Sequence, residues 1–161
     1  MAEWKNPVTD RTQEDVDFAI SKIAEWIAGD VTHNPLVVYD LKGCLNVADI
    51  NRIEGNVAYL SDKLTELAYP PNTATKSWDR VGLPNEQDIS RILYNVRAII
   101  SAYYQQGSAP EVPSSMMGYE EVNAVEQNLD LIKELLDCMV NSFRKSGALK
   151  AGSTMFLPIR R

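Results

Sequence analysis

The sequence predicts an all-α fold, a bundle of four principal helices with long connectors that contain proline and glycine. Three observations support this prediction. One short hydrophobic pattern with helical spacing occurs four times along the chain. Helix-capping residues precede three of its copies, and the stretches between copies carry proline, glycine and polar residues.

Each copy begins with an acid and an aliphatic residue, and apolar residues follow that aliphatic residue three, seven and ten positions later. Steps of three and four place these side chains on one face of an α-helix, so each copy is expected to bury a single stripe. The four stripes are Val16, Ala19, Ile23 and Trp26; Ile50, Ile53, Val57 and Leu60; Ile89, Ile92, Val96 and Ile99; and Val122, Val125, Leu129 and Ile132.

The start of each helix follows from the residues before the pattern. A capping side chain stands three positions before the acid in the first three copies, and Gly118 occupies that position in the fourth. Such a side chain can bind free backbone N–H groups while the acid binds back to the cap. We therefore interpret these acids as capping residues rather than catalytic groups. The pairs are Thr12 with Asp15, Asn46 with Asp49, and Asn85 with Asp88.

The second and fourth helices keep heptad spacing beyond the shared pattern, to Leu67 and to Met139 with Phe143. This spacing predicts coiled-coil-like packing. Packing within one chain is favoured by the proline-rich turns, and pairing between chains is the alternative.

The connectors also carry predictions. Residues 36–39 are apolar and β-branched enough to form a short strand or extended segment, and residues 155–157 are a candidate edge partner beside Pro158. Trp78 is expected to fix the long connector between the second and third predicted helices to the core. Asparagine recurs at one helix position, as Asn56, Asn95 and Asn128, where we expect side-chain bonds to a connector or helix.

Charge is distributed unevenly along the 161 residues. All 22 acids lie at or before Asp137, where 11 basic residues leave a formal charge of -11. The remainder of the chain carries +5. The simpler interpretation is that Arg144 and Lys145 complement the end of the last helix. The alternative is a basic and apolar C-terminal arm, residues 147–161, that docks on an acidic surface of a neighbouring subunit.

The sequence contains few motifs that would indicate catalysis or ligand binding. It contains no phosphate loop, nucleophile elbow or paired-histidine zinc motif, and Cys44, Cys138 and His33 are not at metal-ligand spacing. We expect no cofactor and no small-molecule ligand. No apolar run approaches bilayer length, and the acidic balance argues against nucleic-acid binding.

Several segments of the chain together carry a resemblance to known proteins: residues 46–60, Trp78, residues 88–92 with Asn95, and near the end Phe143-Arg144, Ser146-Gly147, Ala151-Gly152 and Phe156-Leu157-Pro158. These segments resemble small helical proteins of tailed phages and prophages of Gram-positive gut bacteria, a group with tail and baseplate components. The resemblance implies a virion assembly role and carries no catalytic signature.

We therefore expect a single helical domain, residues 1–161, with an N-terminal segment at 1–11. It would act as a non-enzymatic structural protein that binds itself or other virion subunits, first in a bacterial cytoplasm and then in a particle. The alternative is a cytoplasmic adaptor that binds a peptide or partner helix. The predicted partner contacts are Trp78, Tyr104, Lys150, Phe156, Arg160 and Arg161.

Overall fold

Helices account for the regular secondary structure of the described residues. The computed structural model describes residues 2–39, 41–79, 82, 84–103 and 107–146. Four long helices and one short helix form within these ranges, which confirms the all-α prediction with four principal helices. They are α1 (Gln13–Ala28), α2 (Pro35–Val38), α3 (Val47–Glu66), α4 (Glu86–Ala102) and α5 (Tyr119–Ser146).

The predicted helix starts are confirmed. Thr12, Asn46 and Asn85 each form a capping box with the acid three positions later. In α5 the carbonyl of Gly118 accepts the first intrahelical hydrogen bond, from the Val122 N–H at 3.3 Å. Local sequence chemistry therefore places the beginning of every long helix.

The core lies between α3, α4 and α5, which pack on one another in all three pairs. Their heptad seams are buried within a single chain, so the intrachain interpretation is confirmed. Trp78 and Met116 enter this core from the connectors, at 7% and 6% exposure. The buried seam residues are Ile50, Ile53, Val57, Leu60, Leu64, Ile92, Val96, Ile99, Val122, Val125, Leu129, Ile132 and Leu136.

Residues 36–39 do not form the predicted strand. Pro35–Val38 is a single helical turn in which the Tyr39 N–H donates to the Pro35 carbonyl at 2.9 Å. Proline at the first helical position has a preset φ and needs no hydrogen bond there, so it starts a turn that the β-branched residues then follow. The described ranges contain no strand, and the predicted partner at 155–157 lies outside them.

Three extended segments lie against the core helices, and the recurring asparagines bind one residue in each. These residues are Lys5 in the N-terminal segment, Ala74 in the connector before α4 and Pro110 in the connector before α5. Asn56 and Asn95 each bind both the N–H and the carbonyl of one segment residue, whereas Asn128 donates to a carbonyl only, because its partner is proline. This confirms the predicted bond to a connector. The pairs are Asn56 with Lys5 at 2.9 and 2.8 Å, Asn95 with Ala74 at 3.1 and 2.8 Å, and Asn128 with Pro110 at 2.9 Å.

The connector before α3 passes so close to α1 that one position requires glycine. A Cβ added at Gly43 would overlap backbone atoms of Asp15 and Val16. We expect Gly43→Ala to lower the free energy of unfolding by about 1–3 kcal/mol, because backbone must move to admit the methyl group. Urea unfolding followed by circular dichroism measures this change.

Gly55 is the matched control, because it lies inside α3 with open space around its Cα. Gly55→Ala is expected to raise the free energy of unfolding by about 0.5–1 kcal/mol through helix propensity. If Gly43→Ala unfolds at the same urea concentration as the wild type, the close approach is not structurally important.

The capping box of α1 predicts a pH effect. The backbone N–H of Thr12 donates to the Asp15 carboxylate at 2.8 Å, and this bond, with that of the Thr12 hydroxyl, lowers the pKa of Asp15 from its ordinary value of 3.8. A lowered folded-state pKa means that the cap contributes fully above the unfolded-state pKa and is lost as pH falls through the folded one. An NMR titration of the Asp15 carboxylate should give a lower midpoint in the folded chain than in urea; an equal or higher midpoint contradicts the capping role.

Candidate interaction surface

A buried ion network fixes the N-terminal segment to the core. Glu126 on α5 is fully buried and accepts hydrogen bonds from Arg11 at 2.9 Å, from Arg52 at 2.7 Å and from the Val8 N–H at 2.8 Å. Asp49 accepts from both arginines as well as capping α3. The Glu126 hydrogen bond, followed by Asp49, raises the pKa of Arg52 above its ordinary value. Two carboxylates thus balance two guanidinium groups in a largely buried site.

A second network of the same design joins α3 to α4. Glu54 accepts from Arg91 at 2.6 Å, from the Trp78 indole N–H at 3.2 Å and from the Lys76 backbone N–H at 3.4 Å. The hydrogen bond with Glu54 raises the pKa of Arg91. Each network therefore joins two core helices and one extended segment, with Glu126 or Glu54 as the buried carboxylate at its centre.

The two networks occupy equivalent positions of the repeated pattern. Glu54 and Glu126 each stand five residues after the first acid of their copy, and Arg52 and Arg91 stand three residues after theirs. At the third junction, between α4 and α5, the corresponding residues are Leu93 and Ala124. Where the carboxylate is absent, the arginine is absent too, as expected if each charge is tolerated only with its partner.

Arg11 of the first network determines where α1 leaves the core. Its side chain is 4% exposed, and its backbone N–H and carbonyl both bind the Asn123 amide, at 3.3 and 2.9 Å. The next residue, Thr12, caps α1. The core therefore holds the first turn of α1 in place.

Beyond that turn, α1 packs chiefly against α2 and contributes one fully buried residue, Ala19. Phe18 meets Tyr39 edge to face, with ring centroids 6.0 Å apart, and the Lys22 ammonium lies 5.8 Å from both ring centroids. The prediction that the first repeat buries its stripe as the others do is thus only partly met: Ala19 is buried, but Trp26 is 40% exposed.

One face of α1 carries a partly exposed aliphatic stripe, which we call the α1 seam: Val16, Ile20, Ile23 and Ile27. Steps of four, three and four place these residues on one side of the helix. Ile20 is 60% exposed and Ile27 is 77% exposed. Such spacing is typical of a helix that packs against another element, yet nothing in the described chain covers these two side chains.

Val16, the first residue of the α1 seam, also lines a cleft between α1 and the beginning of α5, which we call the α1–α5 cleft. Its volume is about 420 Å³. Met117 at its edge is 94% exposed, and the first turn of α5 adds two acids to its rim. The apolar lining residues are Val16, Leu45, Met116, Met117 and Val122, and the rim acids are Glu120 and Glu121.

Comparison with family models, curated proteins and solved structures finds no match to this chain. No helix in the described ranges is long and apolar enough to cross a membrane. The same residues contain no group of three or more histidine, cysteine or carboxylate side chains placed to hold a metal ion. Inferences about function therefore depend on the surfaces described above.

Of the predicted partner contacts, only Trp78 lies within the described residues. It is buried in the core of its own chain, and the Lys76 ammonium lies 4.0 Å from the centroid of its ring. Tyr104, Lys150, Phe156, Arg160 and Arg161 lie outside the described residues.

The α1 seam is not among the sequence predictions, although the 4-3-4 spacing of its residues indicates an apolar helix face. The α1–α5 cleft has no such signal, because its walls are far apart in sequence.

Proposed function

We propose that this chain is a non-enzymatic structural protein that assembles with copies of itself or with other subunits. The observation that supports this proposal most directly is the concentration of exposed apolar side chains on α1 and α2. Six of the nine large hydrophobic residues exposed in the described chain lie there, although these helices are a small part of it: Phe18, Ile20, Trp26, Ile27, Val37 and Val38. A concentration of exposed apolar residues on two neighbouring helices is typical of protein interaction sites.

The rigid core supports this role. The two ion networks and the asparagine bonds tie the extended segments to α3, α4 and α5, so the α1 seam is presented from a fixed base. A preorganised surface loses less conformational entropy on association. We further propose that the assembly is a phage or prophage virion component of the tail or baseplate, supported by the resemblance of residues 46–60 and of the later segments.

Light scattering of the full-length protein over a wide concentration range tests the proposal. We expect a defined oligomer whose mass rises with concentration. A chain that stays monomeric at every concentration would contradict self-association.

A second candidate function is that of an adaptor that binds a peptide or helix, and the α1–α5 cleft favours it as a groove with both apolar and acidic lining residues. Oligomerisation and peptide binding separate the two functions. Copies of an assembly protein should bind to the exposed surface of one another, whereas an adaptor should stay monomeric and bind a foreign amphipathic peptide.

A further inference from the structure

The α1 seam and the α1–α5 cleft combine apolar surface with negative charge. Residues 12–39 contain five acids and one lysine. Glu120 and Glu121 line the cleft together with Arg11, whose guanidinium group is already paired with Asp49 and Glu126. A matching ligand would be a short apolar segment with positive charges and no acids. Residues 147–161 of this chain have that composition. They carry Lys150, Arg160 and Arg161, no acid, and the apolar run Met155, Phe156 and Leu157.

We propose that residues 147–161 of one copy bind the α1–α5 cleft and the adjoining α1 seam of a second copy. In this arrangement Phe156 and Leu157 contact Val16, Ile20 and Met117. Arg160 and Arg161 face Glu120 and Glu121. This inference rests on the proposed assembly function and names the two surfaces that meet.

The length of α5 favours a second copy over the same chain. The cleft lies at the beginning of α5, and Ser146 is its last residue. The 26 residues from Glu120 to Ser146 span about 39 Å of helix. The ten residues from Ser146 to Phe156 reach at most about 36 Å when fully extended. Binding within one chain would therefore require a taut segment along the whole helix, whereas binding between copies requires none.

Charge disfavours the other simple occupant, the α1 seam of a second copy. Helix α1 carries Glu14, Asp15, Asp17 and Glu25 against Lys22 alone. Pairing two such helices face to face brings like charges together, whereas the basic segment brings opposite charges together.

The proposed contact joins two different surfaces, so it is heterologous. Each copy offers one segment and one cleft at opposite ends of α5. Copies then add head to tail, and the assembly either closes into a ring or grows as a filament.

Two full-length variants test the contact, each with one surface disabled. The segment variant is Phe156→Asp. The cleft variant combines Ile20→Lys with Met117→Lys, at positions where both side chains are exposed and the fold has room for them. Tyr94→Lys is the matched control, because Tyr94 is 53% exposed on α4, away from the cleft. Circular dichroism verifies that each variant keeps its helices.

We expect each disabled variant to raise the concentration of half-dissociation at least about tenfold, as loss of an interface anchor does, while Tyr94→Lys leaves it unchanged. The decisive measurement is an equimolar mixture of the segment variant and the cleft variant. Each retains one working surface, so the mixture should give a complex of two chains and stop there.

Three results would overturn the inference. Wild-type assembly in both variants would remove this contact and leave self-assembly by another surface intact. A mixture that forms no two-chain complex would show that the surfaces do not meet. A wild-type chain that is monomeric throughout would remove both this contact and the proposed self-association.

Discussion

Replacing Glu126 with alanine should lower the free energy of unfolding by about 3–5 kcal/mol. Glu126 is fully buried and is the shared acceptor for Arg11, Arg52 and the Val8 N–H. Its removal leaves two guanidinium groups with Asp49 as the one remaining carboxylate in the network. Uncompensated charge in a site closed to water is among the most destabilising changes a core can undergo.

Urea unfolding of the full-length protein, followed by fluorescence of its tryptophans, measures the change as a lower midpoint. The matched control is Glu134→Ala on an exposed position of the same helix, where a change within about 0.5 kcal/mol is expected. Equal effects of the two substitutions would mean that the network does not stabilise the fold. Because Arg11 precedes the cap of α1, Glu126→Ala should also speed amide exchange at the start of that helix.

The second network should show strong coupling between Glu54 and Arg91. Glu54→Leu alone removes the carboxylate 2.6 Å from Arg91 and leaves the more distant Asp88 carboxylate at 3.9 Å. It should cost about 2–4 kcal/mol, less than the full buried-pair value because Arg91 is partly exposed and keeps this second partner. The double variant Glu54→Leu/Arg91→Ala copies the third junction, where Leu93 and Ala124 stand at these positions. Its cost should fall short of the sum of the single costs by about 1–3 kcal/mol.

A double-mutant cycle measured by urea unfolding gives this coupling energy. The control cycle uses Lys63 and Glu66, an exposed pair on α3 with a distance of 2.8 Å, whose coupling should stay below about 0.5 kcal/mol. Additive costs at Glu54 and Arg91 would show that the two charges stabilise the core independently. That result would also remove the physical reason for their joint absence at the third junction.

Much of the fold could be predicted because its determinants are local. The capping boxes at Thr12, Asn46 and Asn85 involve residues three positions apart, and the helical stripes depend on spacing within one helix. The strand prediction at residues 36–39 failed for a related reason. Val37 and Val38 have a high β propensity, but they follow Pro35, which begins a helical turn.

The candidate site was harder to predict because it depends on which surfaces remain uncovered. A stripe such as Val16, Ile20, Ile23 and Ile27 looks the same in sequence whether a neighbour covers it or not. The buried roles of Glu54 and Glu126 were also hidden, because acids on helices are usually solvated and only the approach of a distant arginine changes that.

Local sequence is enough to predict where the long helices begin, which faces of α3, α4 and α5 are apolar, and that asparagines at one repeated position bind connectors. Each of these follows from interactions within a few residues or from a fixed helical period. The packing of distant segments, by contrast, is what makes three helices enclose the core, α1 pack mainly on α2, and a cleft open beside the first turn of α5. Those outcomes depend on which distant segments pack against the same apolar surface and pair with the same buried charges. Residue spacing along the chain does not predict these long-range contacts.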